Sequence, residues 1–145
     1  MSAMIRALGA EDAAAAARIH ASAFPDPWPA EDLARLFTDV PTAAFGIFDG
    51  DVLGGFILLS LVAPEAEILT LCVDPTRQRA GSGFALMRHA MTLLAGQAFT
   101  RIFLDVARQN IAARALYAKA GFAETGLRKA YYRNGDDAIL MDRAL

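Results

Sequence analysis

The segment 73–83 carries the clearest chemical signal in the sequence, because it joins a predicted strand to a predicted helix. It ends in Gly81-Ser82-Gly83, and glycines let a backbone come close to a ligand. The start of a helix attracts anions through its free N–H groups and its dipole. Arg77 and Arg79 add positive charge at the rim. The segment therefore predicts a phosphate-binding loop, and the alternative is an ordinary turn before a glycine-opened helix.

The spacing within this loop excludes two nucleotide-binding motifs. The phosphate loop of NTPases requires Lys and then Ser or Thr after the second glycine, where this chain has Phe84 and Ala85. The dinucleotide fingerprint requires a third Gly or Ala where Leu86 stands, and a tight turn instead of the long segment before Gly81. Neither motif fits the chain.

The composition indicates a well-packed domain without a broad nucleic-acid-binding face. Of 145 residues, 55% are hydrophobic and 21% charged, and the net charge is −2. The only cysteine, Cys72, excludes an internal disulfide, and two histidines leave little for a Cys/His metal site, so no metal is expected. The longest apolar stretch, 54–63, is too short to span a bilayer, and the first residues do not read as a secretory signal. We expect a single domain over residues 1–145, cytoplasmic, and monomeric or weakly dimeric.

Apolar periodicity predicts a mixed α/β sheet in the order α-α-β-β-β-α-β-α-β-β, with one strand–helix–strand crossover in the middle. The pairs Asp49-Gly50 and Asn134-Gly135 favour tight hairpin turns, and Gly121 suits a left-handed helix cap. A proline-rich connector follows the first helix. The predicted helices begin near residues 13, 30, 81 and 110, and the predicted strands are 43–48, 52–61, 66–73, 101–106 and two strands around residue 134.

The pattern Gln78-x-x-Gly81-x-Gly83 resembles the acetyl-CoA pyrophosphate loop of the GCN5-related N-acetyltransferase (GNAT) superfamily. The likeness extends over nearly the whole chain. Residues 66–75 are similar to the family's fourth strand, and residues 104–106 and 110–122 to its fifth strand and last helix. Residues 128–132 (Arg-Lys-Ala-Tyr-Tyr), together with Asp26-Pro27-Trp28, are similar to the RimI-type branch, the ribosomal-protein-alanine N-acetyltransferases.

This resemblance implies a fold and a cosubstrate. The expected sheet is mostly antiparallel and flanked by helices, and its fourth and fifth strands splay apart to admit the pantetheine arm of acetyl-CoA. Asn110 is implied as a pantetheine contact, and the alternative is a helix N-cap alone. The implied acetyl-CoA contacts are Leu71, Cys72, Val73, Gln78, Arg79, Ala80, Gly81, Ser82, Gly83, Asn110 and Tyr117.

The resemblance also implies catalytic roles. Tyr117 would give a proton to the departing thiolate, and the alternative is a tyrosine that merely packs on the inner face of its helix. A backbone N–H near Leu71 or Cys72 would stabilise the developing oxyanion. Cys72 is expected to be a small core residue, because direct attack by the amine needs no acyl-cysteine.

The general base is where the chain departs from the RimI-type pattern, which usually has glutamate where this sequence has Asp105. Glu67 is a second candidate. Strand alternation predicts that Glu67, Leu69 and Leu71 share one face, and a charge on an apolar face is costly unless it has a task. Either carboxylate could act through a water, and the alternative for Glu67 is simple pairing with a cation.

The expected acceptor is a protein N-terminus, such as that of a ribosomal protein. An α-amine with a pKa near 8 is about 10% neutral at pH 7, against less than roughly 0.1% for lysine, so a weak base suffices for the α-amine. Trp28, Tyr131 and Tyr132 are implied to line the peptide groove, or else they simply pack. His20 and His89 are expected to be ordinary histidines. Either CoA's 3′-phosphate or an acidic peptide could contact the basic residues Arg108, Arg114, Arg128, Lys129 and Arg133.

Two other functions remain open. A small-molecule amine acetyltransferase would have a closed pocket instead of an open groove. A non-catalytic acetyl-CoA-binding module would keep the glycine loop and lose the chemistry, which the shortened Asp105 allows.

Replacing Gly83 with a bulky residue is expected to weaken acetyl-CoA binding far more than folding.

Overall fold

Seven strands form one sheet in the computed structural model, which describes residues 3–145 apart from the side chains of residues 78–80. The strands are β1 (Met4–Ala7), β2 (Thr42–Asp49), β3 (Val52–Val62), β4 (Glu65–Val73), β5 (Arg101–Ala107), β6 (Ala123–Arg128) and β7 (Ala138–Ala144). The α-helices are α1 (Ala13–Ala23), α2 (Ala30–Thr38), α3 (Ser82–Ala95) and α4 (Ile111–Lys119), and 3-10 turns at Ala10–Asp12 and Pro75–Ala80 precede α1 and α3. The predicted helices and central strands are therefore confirmed.

The strand order is β1-β2-β3-β4-β5-β7-β6, and β4–β5 is its one parallel pair. This pair is joined by the crossover through α3, because parallel neighbours need a long connection. The β4–β5 pairing covers only Glu65–Ile68 of β4 against Arg101–Leu104 of β5. Beyond that point the two strands separate, which confirms the expected splay.

Helices cover both faces of the sheet and enclose two apolar clusters. On one face α1 and α2 pack over residues such as Phe56 and Leu58 of β3. On the other face α3 and α4 pack over residues such as Ile102 and Leu104 of β5. We call these the α1–α2 face and the α3–α4 face. No helix within residues 3–145 is both long and apolar enough to cross a bilayer.

A β-bulge in β4 corrects the prediction that Glu67, Leu69 and Leu71 share one face. Leu58 of β3 pairs with Thr70 and its neighbour Leu59 pairs with Ile68, so Leu69 is the extra residue. Leu69 packs against the α1–α2 cluster, whereas Leu71 packs against the α3–α4 cluster. The prediction was wrong because an extra residue reverses the alternation of side chains beyond it.

Two further differences concern the edges of the sheet. The sequence pattern missed β1, a four-residue strand that pairs with β2 and is mostly exposed, so it carries no apolar alternation. Strands β6 and β7 do pair as an antiparallel hairpin, but residues 129–137 form a long loop between them instead of a two-residue turn at Asn134-Gly135. Gly135 has φ +85° within this loop, whereas Gly50 with φ +61° does form the expected tight turn between β2 and β3.

Candidate active site

Beyond Ile68, the gap between β4 and β5 leaves one edge of β4 without a strand partner among the described residues. Asp74 N donates to Gly54 O of the β3 side at 2.8 Å, and bonded pairs alternate with non-bonded pairs in an antiparallel ladder. Cys72 therefore bonds to β3 as Asp74 does, while Leu71 and Val73 direct their N–H and C=O groups towards the gap. These backbone groups can accept an extended ligand as an additional strand.

The glycine loop follows β4 directly and opens onto α3. Asp74 accepts a hydrogen bond from Thr76 N at 3.0 Å, which fixes the turn that begins the loop. Gly81 has φ +73°, a left-handed conformation that favours glycine, and a Cβ built there would meet no atom of the described residues within 4 Å. Ser82 and Gly83 are buried in the first turn of α3. Gln78, Arg79 and Ala80 also belong to this predicted site, but their side chains lie outside the described residues.

Gly83 packs too closely to separate ligand binding from folding. A Cβ at this position would lie 3.1 Å from Cδ2 of Leu116 in α4 and 3.7 Å from Cγ2 of Val73. A larger side chain would therefore push α3 away from α4. Contrary to the expectation from the sequence, a Gly83 substitution is expected to disturb folding as well as binding.

Tyr117 projects from α4 into the α3–α4 cluster and is only 6% exposed. Its ring packs edge-to-face against Phe122 at 5.8 Å between centroids. Burial raises the pKa of Tyr117 well above its ordinary value, and the nearby ionisable groups of Cys72 and Tyr132 raise it further. The hydroxyl is therefore protonated at neutral pH and available as a proton donor.

Cys72 behaves as a core residue. It is buried in the α1–α2 cluster, and burial raises the pKa of its thiol to about 12. A thiol with this pKa is protonated at neutral pH and is a poor nucleophile.

An open groove runs along β5 and β7 on the α1–α2 face, where no helix of the described residues covers these strands. Ile102 and Leu104 of β5 face the opposite core, so the alternating residues Phe103 and Asp105 point into the groove. Its volume is about 560 Å³. We call it the β5–β7 groove; it is lined by Ser60, Val62, Glu65, Ala66, Glu67, Phe103, Leu104, Asp105, Thr125, Arg128, Tyr131, Leu140, Met141 and Asp142.

Both candidate bases line this groove. Asp105 is half-buried and directly follows Leu104, the last β5 residue paired with β4, so it lies where the gap opens. Glu67 is exposed and lies opposite Phe103, further from the opening. Among the ion pairs of the described residues, neither carboxylate has a cationic partner. The alternative role of Glu67, an ion pair with a cationic side chain, is therefore not found among these residues.

The two loop tyrosines lie at the mouth of the groove. Tyr131 is 50% exposed, lines the groove and packs beneath the Arg128 guanidinium, which is 5.4 Å from the ring centroid. Tyr132 packs edge-to-face against Tyr131 at 5.2 Å. Burial and then the charge of Asp105 raise the pKa of Tyr132 to about 12.

Trp28 and His20 form a unit that the sequence did not predict. Trp28 lies half-buried in the α1–α2 connector, residues 24–29, and its backbone N–H donates to Nδ1 of His20 at 3.1 Å. The two rings stack with centroids 4.9 Å apart. His20 is buried in α1, as expected for an ordinary core histidine, but nothing in the local pattern indicated the bond across eight residues.

Asn110 is the N-cap of α4, because its side chain accepts a hydrogen bond from Ala113 N at 3.2 Å. The capping alternative is thus present, and the pantetheine contact stays a prediction. His89 packs edge-to-face against Phe45, as expected for an ordinary histidine.

Three of the basic candidates for a phosphate or acidic peptide are paired with carboxylates. Arg108 pairs with Asp137, Arg114 with Glu124, and Arg133 with Asp26, at 3.1, 2.8 and 3.4 Å. Arg108 and Arg114 border a second cavity of about 610 Å³ between the start of α4 and the 129–137 loop, which Asp136 and Asp137 also line. Because both basic and acidic side chains line this cavity, it does not favour the binding of an anion.

Comparisons with known proteins identify a family and relatives that this chain resembles. The model of the acetyltransferase (GNAT) family matches residues 13–122. The N-alpha-acetyltransferase RimI of Mycobacterium tuberculosis is 35% identical over 146 aligned residues, covering 96% of this chain and 90% of the relative.

Solved structures show the same architecture. The ribosomal-protein-S18-alanine N-acetyltransferase of Escherichia coli superimposes with a TM-score of 0.91 at 31% identity, covering 99% of this chain and 94% of that chain. Arabidopsis thaliana NAA60, solved with acetyl-CoA, has a TM-score of 0.91 at 20% identity, covering 99% of each chain, which shows the shared fold.

Proposed function

The chain belongs to the acetyltransferase (GNAT) family, and we propose that its acceptor is the N-terminal α-amine of a protein, such as a ribosomal protein. As a member of this family it is an acetyl-CoA-dependent N-acetyltransferase. The observation that carries the choice of acceptor is the open β5–β7 groove, which leads from solvent to Asp105 at the mouth of the β4–β5 gap. An extended peptide fits such a groove, whereas a small amine is better held by a closed pocket. Because ribosomal proteins are made in the cytoplasm, we propose that the enzyme acts there.

Acetyl-CoA supplies an activated acetyl group when it is bound, and the residues around the gap fit it. The backbone groups of Leu71 and Val73 face the gap and can pair with the amides of the pantetheine arm. The N–H groups of Gly81, Ser82 and Gly83, at the start of α3, can receive the pyrophosphate. The left-handed Gly81 with open space beside it fits this role, since a phosphate can approach its backbone closely.

Transfer requires stabilisation of negative charge on the carbonyl oxygen and a proton for the thiolate. The Leu71 N–H faces the gap and can donate to the developing oxyanion. The Cys72 N–H, which was the other candidate, is directed to β3. Tyr117 can donate its proton to the sulfur as the C–S bond breaks, because its raised pKa keeps the hydroxyl protonated.

Asp105 is the stronger candidate for the proton acceptor. It lies at the opening of the gap, so a single water can relay the proton from the attacking amine to its carboxylate, and the shorter side chain leaves room for that water. Glu67 lies further along the groove and can act on the same path through a longer relay. The acceptor peptide would be held between Trp28 of the α1–α2 connector and the two tyrosines of the 129–137 loop, Tyr131 and Tyr132.

The test is direct acetylation of defined peptides. The protein is incubated with acetyl-CoA and peptides that begin with Ala, Ser, Thr or Met, together with a lysine peptide whose N-terminus is blocked. Mass spectrometry locates the added acetyl group. We expect acetylation of the free N-terminus, strongest for one first residue, and none on the blocked peptide.

The other two functions give different results in the same experiment. Acetyl-CoA binding without peptide acetylation, but with turnover on free amines, would favour a small-molecule acceptor. Binding without turnover on any amine would favour a non-catalytic module.

A further inference from the structure

His20 is a buried imidazole that the proposed chemistry does not use. It is 3% exposed, on the inner side of α1, and is surrounded by the rings of Phe24, Trp28 and Phe56, with centroids 4.5, 4.9 and 6.5 Å away. Its Nδ1 accepts the Trp28 N–H, so this nitrogen carries no proton. One neutral side chain therefore holds both aromatic residues of the α1–α2 connector.

The connector faces the loop that carries Tyr131 and Tyr132. Asp26 of the connector and Arg133 of the 129–137 loop form an ion pair at 3.4 Å. Both partners are more than half exposed, so this pair contributes little to holding the connector in place. The stacked rings and the partly buried hydrogen bond of His20 are the stronger fixed points, because the His20 ring itself is buried and a polar group that is taken out of water and loses its partner costs free energy.

We propose that His20 is a positioning residue for the acceptor: it fixes the α1–α2 connector so that Trp28 forms a rigid wall opposite Tyr131 and Tyr132. This inference rests on the proposed function, since it assigns Trp28 to the acceptor site. The expected consequence is selective. Loss of the bond weakens the use of the acceptor peptide, while acetyl-CoA, which binds at the glycine loop and the β4 edge, is held as before.

Two substitutions separate the hydrogen bond from the packing. His20→Phe keeps an aromatic ring of similar size but offers no acceptor to the Trp28 N–H. His20→Asn carries an oxygen that can take the place of Nδ1, so it serves as the conservative rescue. His89→Gln is the control, because His89 packs against Phe45 away from the connector.

The kinetic readout is KM for the acceptor peptide beside KM for acetyl-CoA. We expect His20→Phe to raise the acceptor KM by about tenfold, the factor for one lost hydrogen bond of ordinary strength, with acetyl-CoA KM unchanged. His20→Asn is expected to recover most of this loss. Equal rises in both KM values, or no rise in the acceptor KM, would overturn the proposal.

The second readout is fluorescence and needs no turnover, since Trp28 is the only tryptophan in the chain. Burial lowers the pKa of His20, and no charged group contributes to the shift. Asp26 of the connector is ion-paired at the surface, and Cys72 of β4, in the same apolar cluster, is a neutral thiol. Protonation of Nδ1 removes its acceptor, so Trp28 emission should change below the ordinary histidine pKa of about 6.5.

This emission change should be absent in His20→Phe and unchanged in His89→Gln. The same change in His20→Phe would show that His20 does not hold Trp28 and would overturn the proposal. The proposed function fails separately, if peptides are not acetylated while acetyl-CoA still binds. If instead only the inference about His20 fails, peptides are still acetylated and His20→Phe has the same acceptor KM as the wild type.

Discussion

Removal of the Tyr117 hydroxyl is the sharpest test of the proposed chemistry. Tyr117→Phe keeps the ring that packs against Phe122 and takes away only the oxygen. Because the ring is almost fully buried and its volume is kept, the free energy of unfolding should change by no more than about 1 kcal/mol. Any large loss of activity must then come from the missing proton donor.

The expected loss follows from the cost of expelling an unprotonated thiolate. A positioned general acid contributes roughly 10²- to 10⁴-fold, which is about 3 to 5 kcal/mol of transition-state free energy. We expect kcat to fall within this range while the Kd of acetyl-CoA stays within about twofold, because the hydroxyl acts on the leaving sulfur late in the reaction.

The pH profile supplies an independent check. The acceptor α-amine has an ordinary pKa near 8, so the rate should rise with pH as the amine becomes neutral. A proton donor must stay protonated, and the pKa of Tyr117 is raised above its ordinary value of about 10. The wild-type rate should therefore show no fall below about pH 10.

The assay measures initial rates of thiol release with an N-terminal alanine peptide, with acetyl-CoA binding measured by calorimetry and unfolding by urea. Tyr131→Phe is the contrasting variant: it also loses one hydroxyl, but should change the acceptor KM and leave kcat nearly intact. Wild-type kcat in Tyr117→Phe, or a falling limb near pH 8, would refute the assignment of Tyr117 as the acid.

Three other outcomes are expected. Asp105→Asn should reduce kcat/KM more than Glu67→Gln, most strongly at low pH, where the amine most needs a base; wild-type pH–rate profiles in both variants would exclude a carboxylate base. Gly81→Ala and its control Gly50→Ala, both at positive φ with open space, should each lose about 1 kcal/mol in urea unfolding, and only the former should weaken acetyl-CoA binding in calorimetry. Thr70→Val should raise the melting temperature, because the Thr70 hydroxyl is buried without a hydrogen-bond partner among the described residues, and replacing it with a methyl removes a desolvation cost of about 1 kcal/mol.

Local signals predicted much of the fold. The turn at Gly50 and the cap at Gly121 both have positive φ, which glycine adopts without strain, so single residues identified them. Apolar residues at helical spacing identified α2 to α4 because each of these helices buries one stripe of side chains. The resemblance in residues 66–122 indicated the family and therefore the splayed strands, which periodicity alone does not reveal.

The site depended on contacts that no local pattern contains. The bulge at Leu69 is set by pairing with β3, so the alternation around Glu67 could not be extended to Leu71 from the sequence. The length of the 129–137 loop is likewise set by where β6 and β7 pair, and not by Asn134-Gly135 at its tip.

The sequence by itself determined the four helices, the central strands β2 to β5 and the turn at Gly50, since these depend on side chains only a few positions apart. The tertiary structure alone decided where β4 leaves β5, that the Leu71 and Val73 backbones face the gap, and that Asp105 lies at its mouth. It also decided that His20 holds Trp28. These features arise from pairings between distant segments, whose register is set by the packing of the whole sheet and its helices.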